Sequence, residues 1–240
     1  MTTLFVSDLH LEADRPDIAD QFLKFLETDA LNAAALYILG DLFESWVGDD
    51  DPNEHYIWIK QGLRKLTRKD VPVFFMHGNR DFMIGDDFAT ETGITILADP
   101  HITTIHGEKV LLSHGDAYCT DDIEYQAVRT MTRDPKWQTM MLEKSLAERL
   151  AFAEQARAAS LAHGGNIDQD IADVNQAAIE NALRQAGVRL ILHGHTHRPA
   201  VHEFEFDGQP ARRIVLGDWH EQGSVVRWDV DGPVLTSMER

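Results

Sequence analysis

Five short apolar runs in this chain end the same way, in an aspartate, asparagine or histidine, nearly always beside a glycine. Thr3-Leu4-Phe5-Val6 leads into Ser7-Asp8-Leu9-His10, and residues 33–39 lead into Gly40-Asp41. Residues 71–76 run into His77-Gly78-Asn79-Arg80-Asp81, and 109–113 into His114-Gly115-Asp116. The last run, 189–192, is followed by His193-Gly194-His195-Thr196-His197. Runs of this length, rich in β-branched and aromatic residues, read as buried strands. Between them, Ile18 to Leu31 and Ile57 to Leu66 space their apolar residues as helices do. Strands alternating with helices predict an α/β chain, and ligands of such sheets gather beyond the carboxyl ends of the strands. One polar strand end is an ordinary turn. Five in one chain constrain the fold and the site together.

The first of these ends shows the chemistry. In an extended segment, residues i and i+2 project to the same side, so Asp8 and His10 are expected to converge on one point. An oxygen and a nitrogen ligand offered together suit a divalent transition metal. Taken alone, an Asp-x-His pair is far more often an ordinary polar turn than a metal site. At the second end, Gly40 permits a sharp exit that exposes Asp41.

Bulk properties exclude several classes. With 240 residues, 43% hydrophobic and 26% charged, the chain can fill one α/β domain with a sizeable insertion, and wholesale disorder is ruled out. A net charge of −18 argues against a nucleic-acid partner, which requires a basic face. It leaves room for a phosphorylated substrate, because bound cations reverse the local field. Cys119 stands alone, so no intrachain disulfide forms and a reducing compartment is expected; no motif makes it a nucleophile. The N-terminus enters a strand with no basic-apolar leader, and no apolar run is long enough to span a bilayer, so a soluble cytoplasmic protein without a signal peptide is expected. Asp49-Asp50-Asp51-Pro52 lacks the spacing of a calcium loop and reads as a solvated turn.

The five blocks, Asp-x-His, Gly-Asp, Gly-Asn, a lone His and Gly-His-x-His, resemble in type and order those of the calcineurin-like metallophosphoesterase superfamily. The likeness spans residues 3–219. It implies an α/β fold of two sheets in a β-sandwich flanked by helices, with the strand ends meeting at a two-metal centre. Carried over block by block, Asp8, His10 and His197 hold one metal, Asn79, His114 and His195 the other, and Asp41 bridges both. The residue types agree with that role: a carboxylate can bridge, while neutral imidazoles and an amide oxygen complete the shells without excess charge. His193 lies outside the block and reads as structural, and His77 as a group orienting the turn behind Asn79. His55, His101, His106, His163, His202 and His220 match no block.

One position departs from the commoner superfamily pattern. Where many members carry a histidine after Gly-Asn, able to protonate a leaving group, this chain has Arg80. Arginine stays charged and cannot act as an acid near neutral pH, but it clamps phosphate well. A phosphate leaving group needs no proton, so a pyrophosphate substrate makes sense of Arg80. Gly-Asn-Arg-Asp-Phe, Ser-Asp-Leu-His-Leu-Glu and His-Gly-His-Thr-His-Arg-Pro-Ala closely resemble the UDP-2,3-diacylglucosamine hydrolase family of lipid A biosynthesis. That resemblance implies water attack at the α-phosphate of a UDP-linked diacyl sugar, giving UMP and 2,3-diacylglucosamine 1-phosphate. It implies two divalent ions, usually Mn2+, and a cytoplasmic protein peripheral on the inner membrane. Asp41, Asn79, Arg80 and His195 become the catalytic residues; Asn79, Arg80, Asp122, Ser160 and His195 become the substrate contacts. Gly164 and Ile167 depart from the family, standing where a polar residue and a lysine are expected.

Two other readings remain. A phosphodiesterase or pyrophosphatase of the same fold could act on another nucleotide, which the departure at Ile167 favours. A non-catalytic scaffold should have lost ligands, and this sequence keeps them all. Between the core segments 1–120 and 186–240 lies an insertion, 121–185. Its Met131, Trp137, Met140, Met141, Leu142, Leu146, Leu150 and Phe152 recur in helix-forming sequence, and Arg129, Arg133, Lys136, Lys144, Arg149 and Arg157 make it locally basic. The plainer account is a helical cap packed on itself. The resemblance favours a lid with an apolar face for acyl chains and a basic face for anionic lipid.

Overall fold

A computed structural model describes residues 1–164, 173–220 and 223–238. Its first strand, β1 (Thr3–Val6), is buried on both sides. Leu4 and Val6 face one apolar cluster and Phe5 the other, as the twofold alternation of a strand requires. Beside it run β2 (Ala35–Leu39), β3 (Val73–Met76) and β4 (Thr95–Leu97), all parallel. The hairpin of β10 (Gly223–Asp229) and β11 (Gly232–Met238) completes this sheet on the other side of β1. The second sheet has the order β5 (His101–Ile105), β6 (Glu108–Leu112), β7 (Leu190–His193), β9 (Gln209–Val215), β8 (Ala200–Phe206). Its central strands β6, β7 and β9 are parallel, and both edge strands are antiparallel.

The sheets pack face to face. Phe5, Tyr37, Leu39 and Met76 from the first meet Val110, Leu112, Leu190, Leu192 and Ile214 from the second. Phe5 stacks on Tyr37 with ring centroids 4.9 Å apart. Helices α1 (Pro16–Glu27), α2 (His55–Thr67) and α3 (Asp86–Thr92) cover the outer face of the first sheet through Ile18, Phe22, Leu63 and Phe88. The expected helix to Leu31 stops at Glu27: the Thr28 hydroxyl donates to the Lys24 carbonyl at 2.8 Å, and a separate 3-10 turn, Ala30–Asn32, buries Ala30.

Among the described residues, four helices follow between 123 and 186. α4 (Ile123–Thr132), α5 (Pro135–Leu142) and α6 (Leu146–Gly164) reach across to the loops after β3 and β6. α7 (Gln176–Ala186) instead packs Ile179 and Leu183 on the outer face of the second sheet, against Leu111, Ile191 and Phe206. Among the described residues, no helix is long and apolar enough to cross a membrane.

The strand ends are tied to one another. The Asp8 amide donates to the Gly40 carbonyl at 3.1 Å, and the Gly194 amide to that of His114 at 2.8 Å. His114 Nδ1 bonds the Leu39 carbonyl at 2.9 Å, joining the two sheets at the point where their carboxyl ends meet.

Candidate metal centre

All seven side chains expected from the strand ends are brought together. Asp8, His10 and His197 form one group of donor atoms, and Asp8, Asp41 and His114 another. Asn79 Oδ1 joins the second, 2.9 Å from His114 Nε2 and 2.8 Å from His195 Nδ1. Asp41 Oδ2 stands 3.7 Å from His10 Nε2 and 3.7 Å from His114 Nε2, between the two groups. Asp8 is less confined to one group than expected, since it belongs to both.

The route to this convergence differs from simple strand alternation. Asp8, His10, Asp41, His195 and His197 all have positive φ, between 50° and 69°. β1 ends at Val6, and left-handed turns rather than extended backbone aim Asp8 and His10 at one point. Such backbone costs roughly 1–3 kcal/mol per residue and persists only where its surroundings over-determine it. The glycines serve this crowding. A Cβ on Gly78 would collide with Asp41 Oδ1, and one on Gly40 would lie 2.6 Å from His114 Nδ1.

The donor set fits divalent cations. Asp8 Oδ1 is buried without a hydrogen bond of normal geometry and faces His197 Nε2 at 3.4 Å. The Nε2 atoms of His10 and His197 approach to 3.1 Å, so both rings point at one place where a cation can take the position of a shared proton. Each ring is held from behind: His10 Nδ1 by Glu44 at 2.7 Å, His114 Nδ1 by the Leu39 carbonyl, His197 Nδ1 by Asp218 at 3.3 Å. Protons on those outer nitrogens leave the inner lone pairs free for metal.

Electrostatics point the same way. Burial works against a charged His114, yet Asp41, Asp8 and Asp116 outweigh it and lift the group to about 9. His197 is lifted to about 10, against burial, by Asp218 and Asp8. Burial and then His114 depress His195 to about 4. The pocket is thus short of positive charge and draws in protons where cations are absent. Burial, followed by Asp41, raises Asp81 to about 7. Its carboxyl group nevertheless accepts from the amides of Gly78 at 2.8 Å and Leu42 at 2.7 Å, which locks the loops after β2 and β3 together.

The calcineurin-like phosphoesterase model matches residues 1–199. The chain belongs to the calcineurin-like phosphoesterase family. A UDP-2,3-diacylglucosamine hydrolase of Stenotrophomonas maltophilia is 48% identical, over 100% of both chains. One from Aeromonas salmonicida is 51% identical, over 94% of this chain and 89% of its own. Among solved structures, an archaeal phosphodiesterase aligns over 99% of this chain and 100% of its own, at 13% identity and a TM-score of 0.49.

Of the other expected residues of this phosphoesterase, Arg80 meets the centre directly. The Arg80 amide donates to Asp41 Oδ1 at 2.8 Å, and its guanidinium lies 3.4 Å from Ser160 Oγ on α6 and 3.9 Å from Glu44. Asp122 is nearly buried and caps α4, accepting from the Tyr125 amide at 2.9 Å. Gly164 ends α6, and Ile167 lies outside the described residues. His77 holds its turn through the Ile84 carbonyl at 2.7 Å, and His193 is buried, with burial depressing it to about 3. Cys119 is buried, and burial pushes its thiol up to about 12. The acidic turn at 49–51 is spent internally: Asp49 accepts from the amides of Gly85 and Phe88, and Asp50 pairs with Arg149.

Sequence reasoning missed Glu44, Asp218 and Asp116, which lie outside the blocks or at their edge. It also read the insertion's arginines as one outward basic face. Arg129 and Arg133 turn to Asp116, Arg149 to Asp50, and Arg157 to Glu12 and Glu44 at 3.1 and 3.2 Å. These cations bind the helices to the sandwich.

Proposed function

We propose that this phosphoesterase hydrolyses the pyrophosphate bond of UDP-2,3-diacylglucosamine at the α-phosphate, releasing UMP and 2,3-diacylglucosamine 1-phosphate. The likeness to the Stenotrophomonas and Aeromonas hydrolases along nearly the whole chain supports the substrate. The observation that carries the reaction is Arg80, seated between Asp41 and Ser160 beside the convergent donors. A permanent guanidinium there stabilises charge on phosphate oxygens, and the anionic sugar phosphate departs without a proton.

Asp8, His10, Asp41 and His197 would hold one divalent ion, and Asp41, Asn79, His114 and His195 the other, with Mn2+ the preferred metal. Two such ions, when bound, activate water and stabilise oxygens in an in-line displacement at phosphorus. Glu44, Asp218 and the Leu39 carbonyl keep the three imidazoles oriented, and Asp41 also fixes the Arg80 backbone. Ser160 and Asp122 would contact the substrate; Ser160 bonds Arg80, and Asp122 caps the start of α4. The exposed apolar residues of α4 to α6, including Ile123, Met140, Leu150 and Leu161, suit acyl chains and contact with the cytoplasmic face of the inner membrane.

The test is to incubate the protein with Mn2+ and the UDP-linked diacyl sugar in ¹⁸O-water. UMP carrying the label is expected. Label in the sugar phosphate would overturn attack at the α-phosphate, and no release of UMP would overturn the substrate.

A further inference from the structure

Asp116 is fully buried two residues beyond His114. Its Oδ2 accepts from Tyr125 Oη at 3.0 Å and Arg129 Nε at 2.9 Å, with Arg133 Nη2 at 3.5 Å. These donors are spaced four residues apart and so form one stripe along α4 and its C-terminal cap. Arg133 does something its two companions do not. The same Nη2 donates to the Gly78 carbonyl at 2.9 Å and the His77 carbonyl at 3.3 Å. Those are the last two carbonyls before Asn79, which Arg80 follows.

Residue 78 needs such a hold. It must be glycine because Asp41 packs against its Cα, and glycine brings the greatest backbone freedom. Asp81 fixes the Gly78 N–H at 2.8 Å, and the carbonyl side is left to Arg133. The side chain of Phe82, 5.8 Å from the Arg133 guanidinium, flanks the same contact.

We propose that Arg133 is a positioning residue: seated on Asp116, it clamps the His77 and Gly78 carbonyls and thereby sets where Asn79 and Arg80 stand. The lid is then part of the reaction centre's scaffold as well as a cover for it. This inference rests on the reading of Asn79 as a metal ligand. It is separable from a role in lid attachment, because Arg149 ties the lid at a distant place, to the Val47 carbonyl at 2.6 Å and to Asp50.

The experiment measures stepwise Mn2+ affinity by calorimetry, and kcat and KM separately, for the full chain and its variants. Arg133→Ala should weaken one of two Mn2+ sites by about ten-fold or more and lower kcat similarly, the usual cost of losing a group behind a ligand. Arg133→Lys should restore part of both, since an ammonium can still reach one carbonyl. Arg149→Gln should leave Mn2+ affinity unchanged. If Arg133→Ala raises only KM for the lipid substrate, or if Arg149→Gln weakens Mn2+ equally, the residue merely attaches the lid and the proposal is overturned. Should Arg133→Ala not fold, Arg133→Gln carries the same expectation and the same refutation. A wild-type chain that binds fewer than two Mn2+ ions overturns the metal reading itself, whereas two ions held equally tightly by wild type and variant overturn this inference alone.

Discussion

The strand-end centre and the helices above it are stabilised in opposite ways. In the centre, Asp8, Asp41 and His114 are buried, and second groups stand behind the ligands: Glu44 behind His10, Asp218 behind His197, Asp81 behind the loops of Asp41 and Gly78. In α4 to α6, Met141 is the one buried apolar side chain among the described residues. Ile123, Val128, Met140, Leu150 and Leu161 are exposed, and arginines reaching down to the sandwich do the holding. A region closed by burial and hydrogen bonds keeps its geometry whatever the solvent. A region held by ion pairs over an open apolar face can shift when a lipid or an anion competes for those pairs.

The largest expected effect breaks the first region without disturbing the second. Asp41→Ala removes the oxygen that stands between the two donor groups and also the acceptor of the Arg80 amide. Turnover should fall by several powers of ten and two-ion binding should be lost, while hydrogen exchange in α4 to α6 stays as in the wild type. Near-normal activity with two ions bound would mean that Asp41 is not the shared ligand.

A middle-sized effect comes from the charge balance of the centre. His114 and His197 are lifted from 6.5 to about 9 and about 10 in the folded, metal-free chain. A raised folded value means that the proton stabilises the fold. That contribution is fully present below pH 6.5 and is lost as the pH rises through 9 and 10. The melting temperature of metal-stripped protein should therefore fall by roughly a few degrees between pH 7 and pH 10. Saturating Mn2+ should flatten the curve, because the ion occupies the lone pairs that the protons held. An equal decline with Mn2+ present would place its origin outside the centre.

How much of this was legible in the sequence follows from the same contrast. The strand ends were legible because each combines a hydrophobic run with a ligand-type residue and a glycine, and all three signals are local. The ends of the two helices bounded from the sequence were legible to within a few residues, the Thr28 bond to Lys24 shortening the first, while α3 was not foreseen. The αL backbone at Asp8 and His10 was not legible, since extended alternation predicts the same convergence by another route. Glu44, Asp218 and Asp116 were hidden because their partners lie far away in sequence: His197 lies in the loop before β8, and Arg129 and Arg133 lie on α4. The insertion's arginines misled for the same reason. Helical spacing tells which residues share a face, but the acids at Asp50, Glu12 and Asp116 decide where that face turns.

The smallest expected effect separates the regions by ionic strength. The pairs of Arg157 with Glu12 and Glu44 and of Arg149 with Asp50 each involve at least one partly exposed partner. Such pairs are worth about 0.2–1 kcal/mol and weaken as added salt shortens the screening length to a few ångströms. Within each of the two donor groups the ligand atoms lie within 4.8 Å of one another, and Asp8, Asp41 and His114 are buried, so screening between them is slight. Raising salt from about 0.05 M to about 0.5 M should speed amide exchange in α4 to α6 by a few-fold. The two-ion affinity for Mn2+, corrected for bulk ionic strength, should barely move. Exchange that is insensitive to salt would mean that contacts such as Phe82 against Trp137, with centroids 6.0 Å apart, hold these helices in place of the arginines. The contrast between the two regions would then be one of exposure alone.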